Sequence, residues 1–397
     1  MIATAEAPSG RARLDTVLVD AGPWLPVPPG GYGGLENVVA TLVGGLRRRG
    51  VRVVLATVAE STIECDELVW CFERACFHEL TRPYVHGVGL AHAHMSEVLR
   101  YLAGHPEVDL VHSHLEVVGP AMLAACGEAV PPTLHTLHWD PRRQLHFYEG
   151  FDGRGRVFFN GVSAAHLAGA PPNLRRQAVG SVLLATPPTE PAPPPAADAP
   201  FVVLGRISPL KGQDIAARCA HRLGASVVFA GPVAFAGNVA ELSAAADTLA
   251  GNADAMYWSQ LVRPLVDDRR VRWLGVVRGA AKQRLLAGAR ALLMPVQWEE
   301  PGATAVVEAF AAGTPVIGMR RGALPELIEH GVTGYLADDE DEFAYYMARV
   351  DRLDRRACRR AAQTRFSPER MVEDYLRLYE RVLDRVAGRE LVGGVRG

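Results

Sequence analysis

ARALLMPVQWEEPGATAVVEAFAAGTPVIGM, residues 289–319, is the segment on which the architecture turns. The apolar run over 289–295 reads as a buried strand, and a short acidic loop follows it. A helix of small residues is expected from near Gly302 to a stop at Gly313, and 314–319 reads as the next strand. Strand, helix and strand in this rhythm argue for a parallel sheet. The rhythm continues outward. FVVLGR (201–206), ASVVFAG (225–231) and RVRWLG (270–275) are further strands separated by helix-length stretches. Before residue 186, DTVLVD (15–20), VRVVLATV (51–58), VDLVHSH (108–114), PTLHTLH (132–138) and VFFNGVS (157–163) repeat it, with a helix over 36–49 that Gly50 ends. Between the two series, TPPTEPAPPPAADAP (186–200) is too proline-dense for regular structure and reads as a stiff spacer. The expected chain is therefore α/β: two doubly wound, Rossmann-like domains over 1–185 and 201–367, the linker 186–200, and a C-terminal amphipathic helix and tail over 368–397 that can cross back to the first domain. Two such domains face one another across a cleft, where ligands gather at the carboxyl ends of the strands.

Composition narrows the class. At about 150 residues per domain, 397 residues make two to three domains. With 49% hydrophobic and 22% charged residues the chain is an ordinary globular one, neither disordered nor collagen-like. The 42 Lys and Arg against 44 Asp and Glu, a formal charge of −2, lack the basic surplus that nucleic-acid binding needs. Lys211 and Lys282 are the sole lysines, so a lysine within a motif stands out. Six cysteines without a pairing framework, and an N-terminus MIATAEAPSGRARL without an apolar core, point to a cytoplasmic protein with reduced thiols. No run approaches about 18 apolar residues, so no transmembrane segment is expected, while peripheral membrane contact is left open.

Three motifs carry chemistry. The first free amides of the helix in EEPGATAVVEAF, at Gly302, Ala303 and Thr304, form with the helix dipole an anion site that small residues leave open to a phosphate. Glu308, four residues past Thr304 on that helix face, stands about 6 Å further along the axis, which suits a sugar hydroxyl beside a bound phosphate. Glu300 precedes the helix and can face the other end of the same ligand. The plainer reading makes both of them surface acids. In GRISPLKG (205–212), Arg206 and Lys211 leave a strand end together and can clamp a diphosphate; ordinary charges on an exposed turn are the alternative. PPGGYGGLE (28–36) is a glycine loop before the first long helix, able to approach a ligand closely. Nicotinamide binding is disfavoured, because GYGGLE lacks the final glycine of G-x-G-x-x-G and the insertion 22–30 separates it from its strand. No G-x-x-x-x-G-K-[ST] is present.

Together these segments resemble the retaining nucleotide-sugar glycosyltransferases of family 4, whose GT-B fold is two facing Rossmann-like domains. The resemblance covers nearly the whole chain and rests on GGYGGLE, VDLVHSHLE, HTLHWD, GRISPLKG, the pair Glu300 and Glu308, and GALPELIEHGVTGYL, in family order. It implies that Arg206 and Lys211 bind the donor diphosphate, Glu308 the ribose and Glu300 the donor sugar. Gly33 and Gly34 would close over the phosphate, and His138 would approach the transferred sugar. His135 is the competing histidine, placed on the other face if the strand continues. The implied reaction moves a sugar from a nucleoside diphosphate donor, UDP first, to a hydroxyl of a small natural product or glycan. No metal or other cofactor is obligatory, and retention is open between same-face attack and a covalent intermediate. Two departures bear on sugar identity and hinge geometry: PGAT after Glu300, which is similar to antibiotic-tailoring members, and the missing Asn-Gly in LLATPP.

Other signals have plainer explanations. Cys65, Cys71, Cys76, His78, His86, His92 and His94 contain no C-x2-C pair and read as buried thiols and surface imidazoles, not zinc ligands. Glu326 in LPELIE is either a donor-pocket residue or a helix-start acid. Asp20, Trp24 and Trp139 are acceptor-pocket candidates, with packing as the alternative. Two rival functions fit the same residues: another GT-B enzyme, such as a nucleotide-sugar epimerase or a phosphorylase, or a non-catalytic nucleotide-sugar-binding protein. A phosphorylase needs a cofactor lysine, for which Lys282 is the one spare candidate.

Overall fold

The computed structural model describes residues 14–30, 33–81 and 84–393, so Gly31 and Tyr32 of the glycine loop and most of the N-terminal segment lie outside the described residues. The first sheet contains β1 (Thr16–Asp20), β2 (Arg52–Thr57), β3 (Glu67–Trp70), β4 (Leu110–Ser113), β5 (Thr133–Thr136), β6 (Val157–Gly161) and β7 (Ala178–Ser181), in the order β3-β2-β1-β4-β5-β6-β7. The second contains β8 (Phe201–Leu204), β9 (Val227–Ala230), β10 (Val271–Trp273), β11 (Leu292–Met294), β12 (Val316–Met319) and β13 (Gly334–Ala337), in the order β10-β9-β8-β11-β12-β13. All the pairings are parallel. The two sheets are thus doubly wound, and the chain has the GT-B architecture.

Six helices position the cleft or its support: α1 (Gly34–Arg48), α2 (Tyr84–Gly104), α3 (Ala164–Ala168), α4 (Gly279–Ala287), α5 (Thr304–Ala311) and α6 (Pro368–Gly393). Strand alternation distributes them. Val17 and Val19 join a core with Val39, Leu42 and Leu46 of α1 and Tyr375 and Tyr379 of α6. Leu18, between them, joins the opposite core with Met95 and Val98 of α2. Both faces of β1 are dry, which is why Val17, Leu18 and Val19 are all apolar before its terminal aspartate. The C-terminal helix packs by Met371, Val372, Leu378 and Val382 on the first domain, although it follows the second in sequence.

Several expectations need correction. The PTLHTLH strand ends at Thr136, so His138 stands in a loop and strand alternation does not govern it. The helix after the acidic loop starts at Thr304, not near Gly302, because Ala303 before it is left-handed at φ 43. β3, β7, β13 and the 21-residue α2 were not expected. The His and Cys residues of 65–94 disperse. His86 pairs with Glu79 at 2.8 Å, His92 bonds the Val88 carbonyl, and His94 donates to buried Asp20 at 2.8 Å. Among the described residues no group of three or more such side chains is arranged to hold a metal, all six cysteines are free, and no helix is long and apolar enough to cross a membrane.

Helices α1 and α6 cross at Gly45, where an added Cβ would stand 2.2 Å from Cγ2 of Val372. Overpacking in Gly45→Ala is expected to cost about 1–3 kcal/mol, partly offset by the better helix propensity of alanine. Val372→Ala removes the opposing methyls and should recover most of the loss. Denaturant unfolding of the four proteins of the double-mutant cycle measures the coupling; strictly additive effects would show that the two helices do not meet at this point.

Candidate active site

The carboxyl ends of β1, β4, β8 and β11 face one interdomain cleft, where both strand orders reverse. A cavity of about 250 Å³ lies there. It brings together Gly33, Gly34, His138 and Trp139 of the first domain with Arg206, Lys211, Glu300, Gly302, Ala303, Thr304 and Glu308 of the second.

Two helix N-termini meet in this cavity. α1 begins after Gly33, whose φ of 146 and closeness to Pro29 admit no side chain. A Cβ on Gly34 would stand 3.3 Å from Oγ1 of Thr304, the first residue of α5. The unpaired first-turn amides of both helices, and the positive ends of both dipoles, therefore converge on the same few ångströms. Gly302 lines the cavity and also meets the other domain. A Cβ there would lie 2.7 Å from Cγ2 of Val162, so its smallness lets the domains touch. Ser163 Oγ donates to the Pro301 carbonyl at 2.7 Å beside it. The carboxylate of Glu326 accepts from the amides of Ala164 at 2.9 Å and Ala165 at 3.2 Å. Glu326 is thus a helix-start acid, but the helix, α3, belongs to the other domain.

Each cation of the site has a carboxylate partner. Lys211 Nζ lies 2.6 Å from Glu300, which also accepts from Trp298 Nε1 at 2.9 Å, and the ammonium stands 5.3 Å over the Trp298 ring. Arg206 pairs with Asp254 at 2.9 Å. Burial pushes the Asp254 carboxyl up and the Arg206 guanidinium draws it back. Lys282 of α4 pairs with Glu308 at 2.8 Å, so the lysine left spare by the sequence lies in the cavity with the first one. Trp298, Asp254 and Lys282 were missed as site residues. Lysine scarcity was the signal for Lys282; Asp254 had none, since only folding brings it to Arg206.

His138 is half-buried, and its Nε2 lies 2.8 Å from Nδ1 of His114. Two groups hold its loop. His166 Nε2 donates to the Trp139 carbonyl at 2.9 Å, and His114 engages the ring. Asp20 is fully buried, accepting from His94, Ser113 Oγ and the Gly22 amide, and Trp24 packs against the first-domain core. Neither lines the cavity, because His94 and Ser113 cover Asp20 at the end of β1 and Trp24 packs inward beyond it; Trp139 does line it, 42% exposed.

Desolvation lowers the imidazoles of His112 and His114 well below 6.5, His135 to about 4 and His138 to about 3. Folded, they stay neutral, while the unfolded chain binds protons below about 6.5. Their stability contribution is complete above that pH and is lost as pH falls toward about 4. Glu36, pushed up to about 7 by burial, and Glu116, also raised by burial, act in the opposite direction, but the imidazoles outnumber them. Urea unfolding should therefore show a net loss on the order of 1–3 kcal/mol between pH 6.5 and 5.5; a flat profile would mean that these histidines titrate normally.

The chain matches the family model described as Glycosyltransferase Family 4 over residues 32–170 and the one described as Glycosyl transferases group 1 over 247–351. A D-inositol 3-phosphate glycosyltransferase of Mycolicibacterium smegmatis is 34% identical over 188 residues, 45% of this chain and 39% of that protein. The chain's matches span a quarter to two fifths of the length of such curated relatives. Among solved structures, AviGT4, a glycosyltransferase involved in avilamycin A biosynthesis, is 26% identical with a TM-score of 0.65, covering 94% of this chain and 98% of that one. Anabaena HepE, solved in complex with UDP, shares the fold at 17% identity and a TM-score of 0.58, covering 91% and 98%. The first model contains Gly33, Gly34 and His138, the second Lys282, Glu300 and Glu308, and between them they span more than half of the chain. With these matches and two facing Rossmann-like domains, the chain belongs to the family 4 glycosyltransferases of the GT-B fold.

Proposed function

We propose that this chain is a retaining glycosyltransferase that moves a hexose from a nucleoside diphosphate sugar to a hydroxyl of a small natural product or glycan. The observation that supports it most directly is the convergence of both lysines, the acidic pair Glu300 and Glu308, and two helix N-termini on one cavity. In this reading residues 201–367 bind the donor and 1–185 the acceptor. The diphosphate sits between α1 and α5, with Arg206 and Lys211 on its oxygens and Glu308 on the ribose. Lys282 holds the Glu308 carboxylate in place for the ribose. Glu300 contacts the donor sugar, and His138 and Trp139 border the sugar and acceptor.

Catalysis is positioning and leaving-group stabilisation. The bond between the sugar C1 and the phosphate oxygen breaks, and negative charge grows on the departing diphosphate. Arg206, Lys211 and the helix ends meet that charge. The acceptor oxygen attacks C1 from the same face and passes its proton to the leaving phosphate, which retains the anomeric configuration. Because protein groups neutralise the phosphates, no metal is required. UDP is the first nucleotide to try, since HepE was solved with it. The part AviGT4 plays in avilamycin A biosynthesis favours a small-molecule acceptor. The six free thiols suit the reducing cytoplasm.

A thermal-shift screen of UDP, GDP, ADP and dTDP, followed by hydrolysis of the matching glucose donor, tests the proposal. Stabilisation with turnover is expected; binding without turnover would leave a non-catalytic binding protein, and no binding would overturn the site. Glu308→Ala should weaken UDP by about 1.5–3 kcal/mol, roughly tenfold or more, as the ribose loses an ionised acceptor. Calorimetric titration that finds unchanged affinity in a folded variant removes Glu308 from the ribose site.

The metal requirement is tested separately. Excess EDTA should leave donor hydrolysis intact, and complete loss restored by added metal would refute the metal-independent mechanism.

A further inference from the structure

The two ring nitrogens of His138 have different surroundings. Nε2 faces His114 Nδ1 at 2.8 Å, whereas Nδ1 bonds no other described residue. His138 lines the cavity, so Nδ1 is the nitrogen left for a ligand. Desolvation keeps both rings neutral, so one facing nitrogen donates and the other accepts. Which one donates determines whether His138 offers the cavity an N–H or a lone pair.

The outer nitrogen of His114 resolves the choice. His114 Nε2 is buried without a hydrogen-bond partner. If His138 donated, His114 Nε2 would carry a stranded N–H; if His114 donates, it carries only a lone pair. Two neighbouring neutral histidines show which kind of orphan this cluster contains. His166 donates from Nε2 to the Trp139 carbonyl, so its unpartnered Nδ1 is a lone pair. Ser113 gives its hydroxyl hydrogen to Asp20, so His135 must donate to Ser113 Oγ from Nδ1, and its unpartnered Nε2 is a lone pair as well. Stranded N–H groups are the rarer kind of buried orphan.

We infer that His114 is a positioning residue that fixes the tautomer of His138, so that His138 presents Nδ1–H to the cavity as a donor to a hydroxyl oxygen of the hexose. The inference rests on the glycosyltransferase reading for the identity of that hexose, but the tautomer exists without any ligand. The chain reaches the arrangement through adjacent strands. His114 follows β4 and His138 follows the neighbouring β5, and His112, whose ring is tilted against His114 with centroids 4.2 Å apart, is tied to Tyr379 of α6 at 2.7 Å.

The test uses the full chain labelled with nitrogen-15 histidine and long-range proton–nitrogen correlation, which distinguishes the tautomers directly. The His138 signals are assigned by their loss in His138→Gln. The wild type should show His138 protonated at Nδ1. His114→Phe should release it to a mixture or to the Nε2–H form, and His114→Asn, whose amide nitrogen can stand where Nδ1 stood, should restore it. Hydrolysis of UDP-glucose should fall about tenfold in the Phe variant with unchanged UDP affinity, and stay within about threefold of wild type in the Asn variant. A wild-type His138 protonated at Nε2, or a tautomer indifferent to His114→Phe, overturns the inference. Should His114→Phe not fold, the wild-type spectrum still decides. Absence of hydrolysis alongside the expected tautomer counts against the glycosyltransferase reading instead.

Discussion

The closeness of two helix N-termini across the cleft organises this molecule. Gly34 opens α1 and Thr304 opens α5, and a Cβ on Gly34 would stand 3.3 Å from Thr304 Oγ1. Positive helix ends repel one another, so bringing two together is unfavourable unless negative charge lies between or beside them. Glu300 and Glu308 supply part of that charge, and Lys211 and Lys282 hold the two carboxylates. Under the proposed function, a diphosphate entering the cavity would find donors already oriented, so little reorganisation would be needed as charge develops.

This juxtaposition relies on contacts far from any ligand. Gly302 allows Val162 to approach, Ser163 bonds Pro301, and Glu326 caps α3 from the opposite domain. The C-terminal helix adds a second tie, leaving the second domain at Pro368 and burying Tyr375 and Tyr379 in the first. Tyr379 donates to His112, whose other nitrogen bonds Thr136, and Thr136 donates to Asn160. A polar chain thus runs from that helix beneath the strand ends that carry the histidines. Its members are satisfied in sequence, which is the condition under which buried polar groups specify one arrangement.

Much of the site was legible because its chemistry is local. Arg206 and Lys211 lie within one turn, and Glu308 follows the start of α5 by one helical turn, so spacing alone groups the residues that line the cavity. Asp20 shows the limit of such reading. It ends a strand pointing at the cleft, yet His94 from α2 and Ser113 from β4 close over it, and it belongs to the core. His138 was found by resemblance, but its partner His114 lies 24 residues away.

The residues of this chain determined its two parallel sheets, because buried strands must be apolar and helices must separate them, and that pattern repeats along the sequence with no reference to distant parts. They also determined the glycine loop, the acidic pair and the clustered cations, each defined by neighbours in the chain. Which carboxylate faces which cation, where Glu326 finds its helix, and which nitrogen of His138 is free depend on segments tens to hundreds of residues apart. Only the folded chain brings those segments together, because hydrogen bonds and ion pairs act over a few ångströms while sequence separation carries no distance information once the chain has turned back on itself.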